Sequence, residues 1–263
     1  MPDLHLRIER DEDEAIASLP ELAEDELLAL MRRAAITDAK LIPWGSNYTF
    51  AVALDDEQHG DRLGIYKPRR GESPLWDFES GTLYRREHAA YLVSRKLGWG
   101  LVPPTIVREG PHGIGSLQLY VEPKAPEDEI DGEDAVHSFW SSRRIEIERM
   151  VLFDHITNNA DRKLSHCLRG VDDRIWGIDH GLTFNIEPKL RTVLWQFVGE
   201  PIAPELMGNL EALLAVESEM RTLLGSELRS EEIDATFHRV RHLWKAARYP
   251  RLDPGSNVPY GWW

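Results

Sequence analysis

Cysteine is nearly missing: Cys167 is the single one in 263 residues. One thiol excludes an internal disulfide and any cysteine-built zinc or iron–sulfur centre. Positive charge is also scarce. Thirty-one basic against 45 acidic side chains leave a net charge of −14. That argues against broad binding to nucleic acid or to an anionic lipid surface, while leaving room for a local basic pocket. No apolar run approaches the ~18–20 residues of a membrane-spanning helix. The opening MPDLHLRIERDEDEA lacks the apolar core of a signal peptide. The expectation is a cytoplasmic protein with no membrane span and no nucleic-acid partner. Repeats and low-complexity segments are missing too, and so is a glycine-rich loop.

What is present is a globular composition, 42% hydrophobic and 29% charged, which excludes a disordered chain. The length suits one mixed domain or two small lobes around a cleft. Ser18-Leu19-Pro20 opens a helical pattern that runs to about Arg33, with Pro20 in the first turn. From Lys40 the period changes to two. Leu41–Trp44, Tyr48–Leu54 and Leu63–Lys67 read as strands, Thr82–Leu97 as a helix ended by Gly98, and Val102–Val107 and Ser116–Glu122 as strands again. The Pro- and acid-rich stretch KAPEDEIDGED, from Lys124 to Asp134, reads as the boundary between lobes. Beyond it the pattern is mostly helical: Arg143–Asn159, Pro204–Leu213, Glu217–Leu223, and Ser230–Ala247 with Ser230 as its cap. Two short strands, His166–Leu168 and Ile175–Ile178, interrupt the helices. The expected architecture is α+β and two-lobed, with a strand-rich lobe over residues 1–123 and a helical lobe over 124–263, enclosing a cleft.

Chemistry concentrates in FDHITNNADRKLSHCLRG, residues 153–170, and IWGIDHGLTF, residues 175–184. Asp161 follows a helix end marked by Asn158-Asn159, and eighteen residues on a short strand ends in Asp179 before His180-Gly181. One loop carboxylate can orient an acceptor proton; the other can hold a divalent metal against a triphosphate. Upstream, Lys67 closes an apolar strand. Glu87 on the next helix could clamp it toward phosphates or equally face solvent. Gly45-Ser46-Asn47 is either an ordinary hairpin turn or a loop that covers phosphates. Arg69, Arg70, Arg85 and Arg86 form a basic patch that suits an acidic partner or plain solvation. A metal phosphohydrolase built on His155, His166 and His180 is disfavoured, because no His-Asp dipeptide occurs.

Six anchors in order resemble the phosphatidylinositol 3-/4-kinase superfamily, above all the type II phosphatidylinositol 4-kinases, and are similar to its actinobacterial branch. They are YKP with Lys67, EHAAYLVSRKLG with Glu87, LVPPT at 101–105, GSLQLYVE at 115–122, NNADR at 158–162 and IDHGLTF at 178–184. The resemblance spans roughly Ile42 to Phe197 and implies a protein-kinase-like fold with an ATP cleft between the lobes. It implies that Lys67 meets the ATP phosphates with Glu87 as its partner, and that the Leu119-Tyr120-Val121 hinge binds adenine. Asp161 becomes the catalytic aspartate and Asp179 the metal ligand, for Mg²⁺ or Mn²⁺. Two departures stand out. His166 replaces the asparagine that ligates a second metal, and an imidazole suits Mn²⁺ better than Mg²⁺. The cysteine-rich insert of the lipid kinases is missing, and only Lys189 and Arg191 follow Asp179 as ligands for an anionic head group. The expected activity is an ATP-dependent protein Ser/Thr kinase, including autophosphorylation, ahead of a small-molecule or inositol-lipid kinase. The alternative is a nucleotide-binding pseudokinase that acts as a scaffold.

Overall fold

The computed structural model describes residues 22–43, 45–124 and 143–260. Its first half holds β1 (Ala35–Ile42), β2 (Thr49–Asp55), β3 (Arg62–Pro68), β4 (Thr105–Gly110) and β5 (Gly113–Leu119). These form one antiparallel sheet in the order β1-β2-β3-β5-β4. Residues opposite one another share a face. Lys67 pairs with Ser116, and Ile65 with Gln118 on one side and Ala51 on the other, so these line a single face. The other face is the lobe's core. Val52, Leu54, Tyr66, Ile106 and Leu117 are buried there with Leu30 and Met31 of α1 (Glu24–Arg33).

Helix α2 (Leu83–Lys96) packs against β4 and β5. Its Leu83, Ala90 and Val93 are buried as their spacing predicts, with Leu97 buried at its C-cap. In the last turn of α2, Ser94 Oγ accepts the amides of Leu101 and Val102 at 2.9 and 3.1 Å, and Leu101 O accepts the Gly177 amide at 2.8 Å. The LVPPT stretch therefore runs from α2 to β4 and touches the second lobe on the way. That lobe is built on α3 (Arg144–Thr157), whose Ile147, Met150, Val151, Leu152, Phe153 and Ile156 are all buried. Ten of its fourteen residues are buried, Glu148, Asp154 and His155 among them, so the helix sits in the core of the lobe. Around it stand α4 (Pro204–Ala215), α5 (Glu217–Leu224), α6 (Ser230–Ala246) and the hairpin of β6 (Cys167–Arg169) and β7 (Ile175–Gly177).

Several expected boundaries shift. The first helix begins at Glu24, where Glu24, Asp25 and Glu26 put negative charge on its positive end. Ser18 and Pro20, the acidic start, Trp44 and the 125–134 part of the lobe boundary lie outside the described residues. Strand β1 starts at Ala35, five residues before the period-two signal. As an edge strand with a register slip between Ile36 and Asp38, it has no alternating burial to announce it. Strand β4 begins at Thr105 because Pro103 and Pro104 cannot donate to a ladder, and β5 occupies 113–119, not 116–122. Arg229 caps α6, with its amide bonded to Glu232 Oε2 at 2.9 Å, so Ser230 is the first helical residue.

Candidate active site

Strand β3 delivers Lys67 to the inter-lobe cleft. Gly115 makes that pairing possible, since a Cβ there would lie 2.4 Å from the Lys67 carbonyl oxygen. Lys67 Nζ donates to Glu87 Oε1 at 2.5 Å and to Asp179 Oδ1 at 2.9 Å. Glu87 is buried, and its Oε2 accepts the His180 backbone N–H at 2.9 Å. Glu87 therefore lies against Lys67 and does not face solvent. Helix α2 is itself fixed to the second lobe, because buried Arg86 pairs with Glu232 at 2.5 Å and donates to Thr183 O at 2.7 Å. The four-arginine patch therefore disperses. Arg86 is internal and Arg85 donates to Tyr84 Oη at 3.0 Å.

Asp179 sits just past β7 with φ of 60°, a left-handed conformation that carbonyl-bearing side chains tolerate better than most. The Lys67 charge holds its carboxyl well below the usual carboxylate range despite desolvation, and the two carboxylates hold Lys67 firmly protonated. His166 lies beside them, with Nε2 3.4 Å from Asp179 Oδ2. Its Nδ1 is 2.9 Å from the Asp161 carbonyl oxygen, which can only accept, so the ring proton is on Nδ1. Burial pushes the His166 pKa down, and the neutral ring turns a lone pair toward a carboxylate oxygen. Two acceptors facing each other suit a cation between them. Among the described residues no cluster of three or more His, Cys, Asp or Glu side chains is arranged to hold a metal. His166 and Asp179 would be the protein's part of such a site.

Asp161 follows in a loop whose every turn is tied down. Asn158, left-handed at φ 55°, ends α3; its side chain donates to Asn185 O and Glu187 O and accepts the Lys189 amide. Asn159 Oδ1 accepts the Asp161 amide at 3.0 Å while its Nδ2 donates to Asp154. The Asp161 carboxylate pairs with Lys163 at 2.9 Å, and burial raises its pKa. Arg162 is the residue that sequence reading missed. Fully buried, it donates to both Asp154 oxygens, to His166 O and Ile178 O at 3.1 Å each, and to His180 Nε2 at 2.8 Å. It joins α3 to both loops that carry the aspartates. Asp154 is one of several charged residues in the α3 sequence, so no local pattern marks it as the partner of Arg162.

Other expected residues stand apart. Gly45-Ser46-Asn47 joins β1 to β2, but it is fastened to the 69–73 segment. Asn47 Oδ1 accepts the Ser73 amide at 2.7 Å, Ser73 Oγ donates to Ser46 O, and the Tyr48 amide reaches Gly71 O at 2.9 Å. In the hinge, the Leu119 amide is committed to Pro104 O and the Tyr120 amide to Leu63 O, which leaves Val121 as the donor free of backbone bonds among the described residues.

No protein-family model matches the chain. The phosphatidylinositol-kinase assignment therefore goes no further than the resemblance of its motifs. Solved structures do share the architecture. A hydra Fam20 structure with sugar superimposes with a TM-score of 0.55 at 15% identity, covering 85% of this chain and 87% of that one. The Golgi casein kinase with Mn/ADP bound does so at 0.53 and 13%, covering 88% and 80%. The fold is thus two-lobed and kinase-like. In sequence, the chain is 37% identical to Protein Rv2133c of Mycobacterium tuberculosis (strain ATCC 25618 / H37Rv) over 286 residues, covering 96% of this chain and 95% of that protein. The chain belongs to the family of Protein Rv2133c.

Proposed function

We propose that the protein is an ATP-dependent phosphotransferase that uses a divalent metal, with a protein Ser/Thr hydroxyl, its own included, as the favoured acceptor. One observation carries this reading. Lys67, Glu87, Asp179 and His166, from separate stretches of sequence, converge across the cleft, with Asp161 in the adjoining loop. Lys67 would exchange its bond to Asp179 for ATP phosphate oxygens, while Glu87 keeps it aimed. The hinge would meet adenine through Val121. A metal held by Asp179 and His166, with phosphate oxygens completing its shell, would neutralise charge on the triphosphate. Asp161 would accept the acceptor's proton as its oxygen attacks the γ-phosphorus and the bond to the ADP oxygen breaks. A carboxylate raised by burial suits that role. The Mn/ADP bound to the structurally similar Golgi casein kinase is consistent with this cofactor set.

Incubation with γ-labelled ATP and either Mg²⁺ or Mn²⁺ tests the reading. Label on the chain or on an added protein supports it. Label on phosphatidylinositol would move the acceptor to lipid. Nucleotide binding without transfer would favour the pseudokinase reading, which the retained Lys67, Asp161 and Asp179 oppose.

A further inference from the structure

Beyond Lys67 the chain turns away from the cleft and builds a second pocket. Arg69 and Arg70 lie in a short 3₁₀ turn over Arg69–Gly71. With Glu72, Gly81, Glu109 and Gly113 they line an open cavity of about 550 Å³. Both arginines are exposed, and neither makes an ion pair or a side-chain hydrogen bond among the described residues. This is unusual in a chain of net charge −14, where Arg33, Arg95 and Arg221 each hold a carboxylate. The two carboxylates of the cavity do not reach the guanidinium groups. Glu72 Oε1 instead accepts the Tyr84 amide at 2.9 Å, at the start of α2. Glycine shapes the wall: a Cβ at Gly81, whose φ is +76°, would lie 2.6 Å from Arg69 Nε.

We propose that this cavity binds a small phosphomonoester that also carries hydroxyl groups, a sugar phosphate in chemical class. Two unpaired guanidinium forks match the planar, multi-acceptor chemistry of a phosphate group. Glu109, with no cation of its own among the described residues, accepts hydroxyl hydrogens from the carbon skeleton. The same carboxylates repel a polyanion such as a triphosphate. The volume falls in the ~300–1,000 Å³ range of small-molecule pockets. None of Lys67, Glu87, Asp161 or Asp179 lines the cavity, so the site is separate from the cleft and does not depend on the kinase reading.

Calorimetric titration of the whole chain with glucose 6-phosphate and with ribose 5-phosphate tests this, with glucose and inorganic phosphate as controls. The expected result is saturable binding of at least one sugar phosphate at one per chain, no binding of glucose, and phosphate weaker by about tenfold. The double variant Arg69→Gln/Arg70→Gln loses at least about tenfold in affinity, roughly the loss of one charged contact. Its melting temperature stays at the wild-type value, since both side chains are exposed. Glu109→Gln loses a few-fold for the sugar phosphate and nothing for phosphate. Saturating ATP leaves the titration unchanged. The proposal is overturned by undiminished binding in the folded double variant, by phosphate binding as tightly as both esters, by competition from ATP, or by no binding of either ester.

Discussion

Two charge clusters meet where the lobes touch, and they differ in how deeply they are buried. Around Arg162 everything is internal: Arg162 is 0% exposed and its partner Asp154 1%, and the guanidinium bonds a carboxylate, two carbonyls and an imidazole. Around Lys67 the Asp179 side chain is 50% exposed and the Lys67 side chain 23%. Its partners can be exchanged for a ligand without stranding a buried charge, Glu87 excepted. A buried cluster whose charges are paired with each other holds loops in place; an open cluster paired only with itself is where a substrate can enter. Position in the fold, more than residue type, separates scaffold from site.

Breaking the buried cluster has the largest expected effect. Arg162→Met strands the Asp154 carboxylate and takes the guanidinium donor from the Ile178 carbonyl, while His166 O keeps the Ile178 amide. Losing one partner of a buried pair costs about 3–5 kcal/mol. Urea denaturation should show that loss, and a stability within about 1 kcal/mol of wild type would remove Arg162 from its place in the scaffold.

His155, buried in the same lobe beside Tyr249, sharpens the contrast through pH. Burial lowers its pKa from 6.5 to about 4. The folded state therefore favours the neutral ring. This contribution is intact above pH 6.5 and shrinks as pH falls from 6.5 toward 4. At ~1.4 kcal/mol per pKa unit, the loss approaches roughly 3 kcal/mol. His155→Gln should flatten the stability profile in that window; parallel profiles for the two proteins would contradict the assignment.

The open cluster should respond in the opposite way. Asp179→Asn keeps a side chain that tolerates positive φ and leaves Lys67 bonded to Glu87. Transfer should fall at least about a hundredfold, while the melting temperature stays within a few degrees. A large drop in melting temperature would make Asp179 structural. The smallest effect falls on His166. His166→Asn should move the Mn²⁺-to-Mg²⁺ activity ratio several-fold toward Mg²⁺, because an oxygen ligand replaces a nitrogen. Identical ratios in both proteins would mean that the imidazole is not a ligand.

The residues of the open cluster are legible in the sequence because each stands where a periodic element ends: Lys67 at the end of a strand, Asp161 after a helix, Asp179 after a strand. Glu87 was ambiguous, since the apolar face of α2 does not say that a carboxylate beside it will be covered by the other lobe. Arg162 and the Arg86–Glu232 pair were out of reach. Their meaning lies in partners 8 and 146 positions away, which no local pattern links. The limits of β1 and β4 failed for the same reason. An edge strand and a strand that follows two prolines take their boundaries from neighbours, not from their own alternation. Lys67 also matters to stability, because its removal leaves the buried Glu87 carboxylate with the His180 amide alone.

The most direct test of the account is Asp161→Asn, assayed side by side for transfer and for nucleotide binding. Asp161 makes no contact with the Lys67 ammonium among the described residues, and its amide bond to Asn159 survives the change. The account predicts that transfer of the γ-phosphoryl group falls about a thousandfold, within the range for losing a general base. The metal-dependent affinity for ATP should stay within about twofold, as expected of a group that acts only on the acceptor. Wild-type turnover in the variant would contradict it.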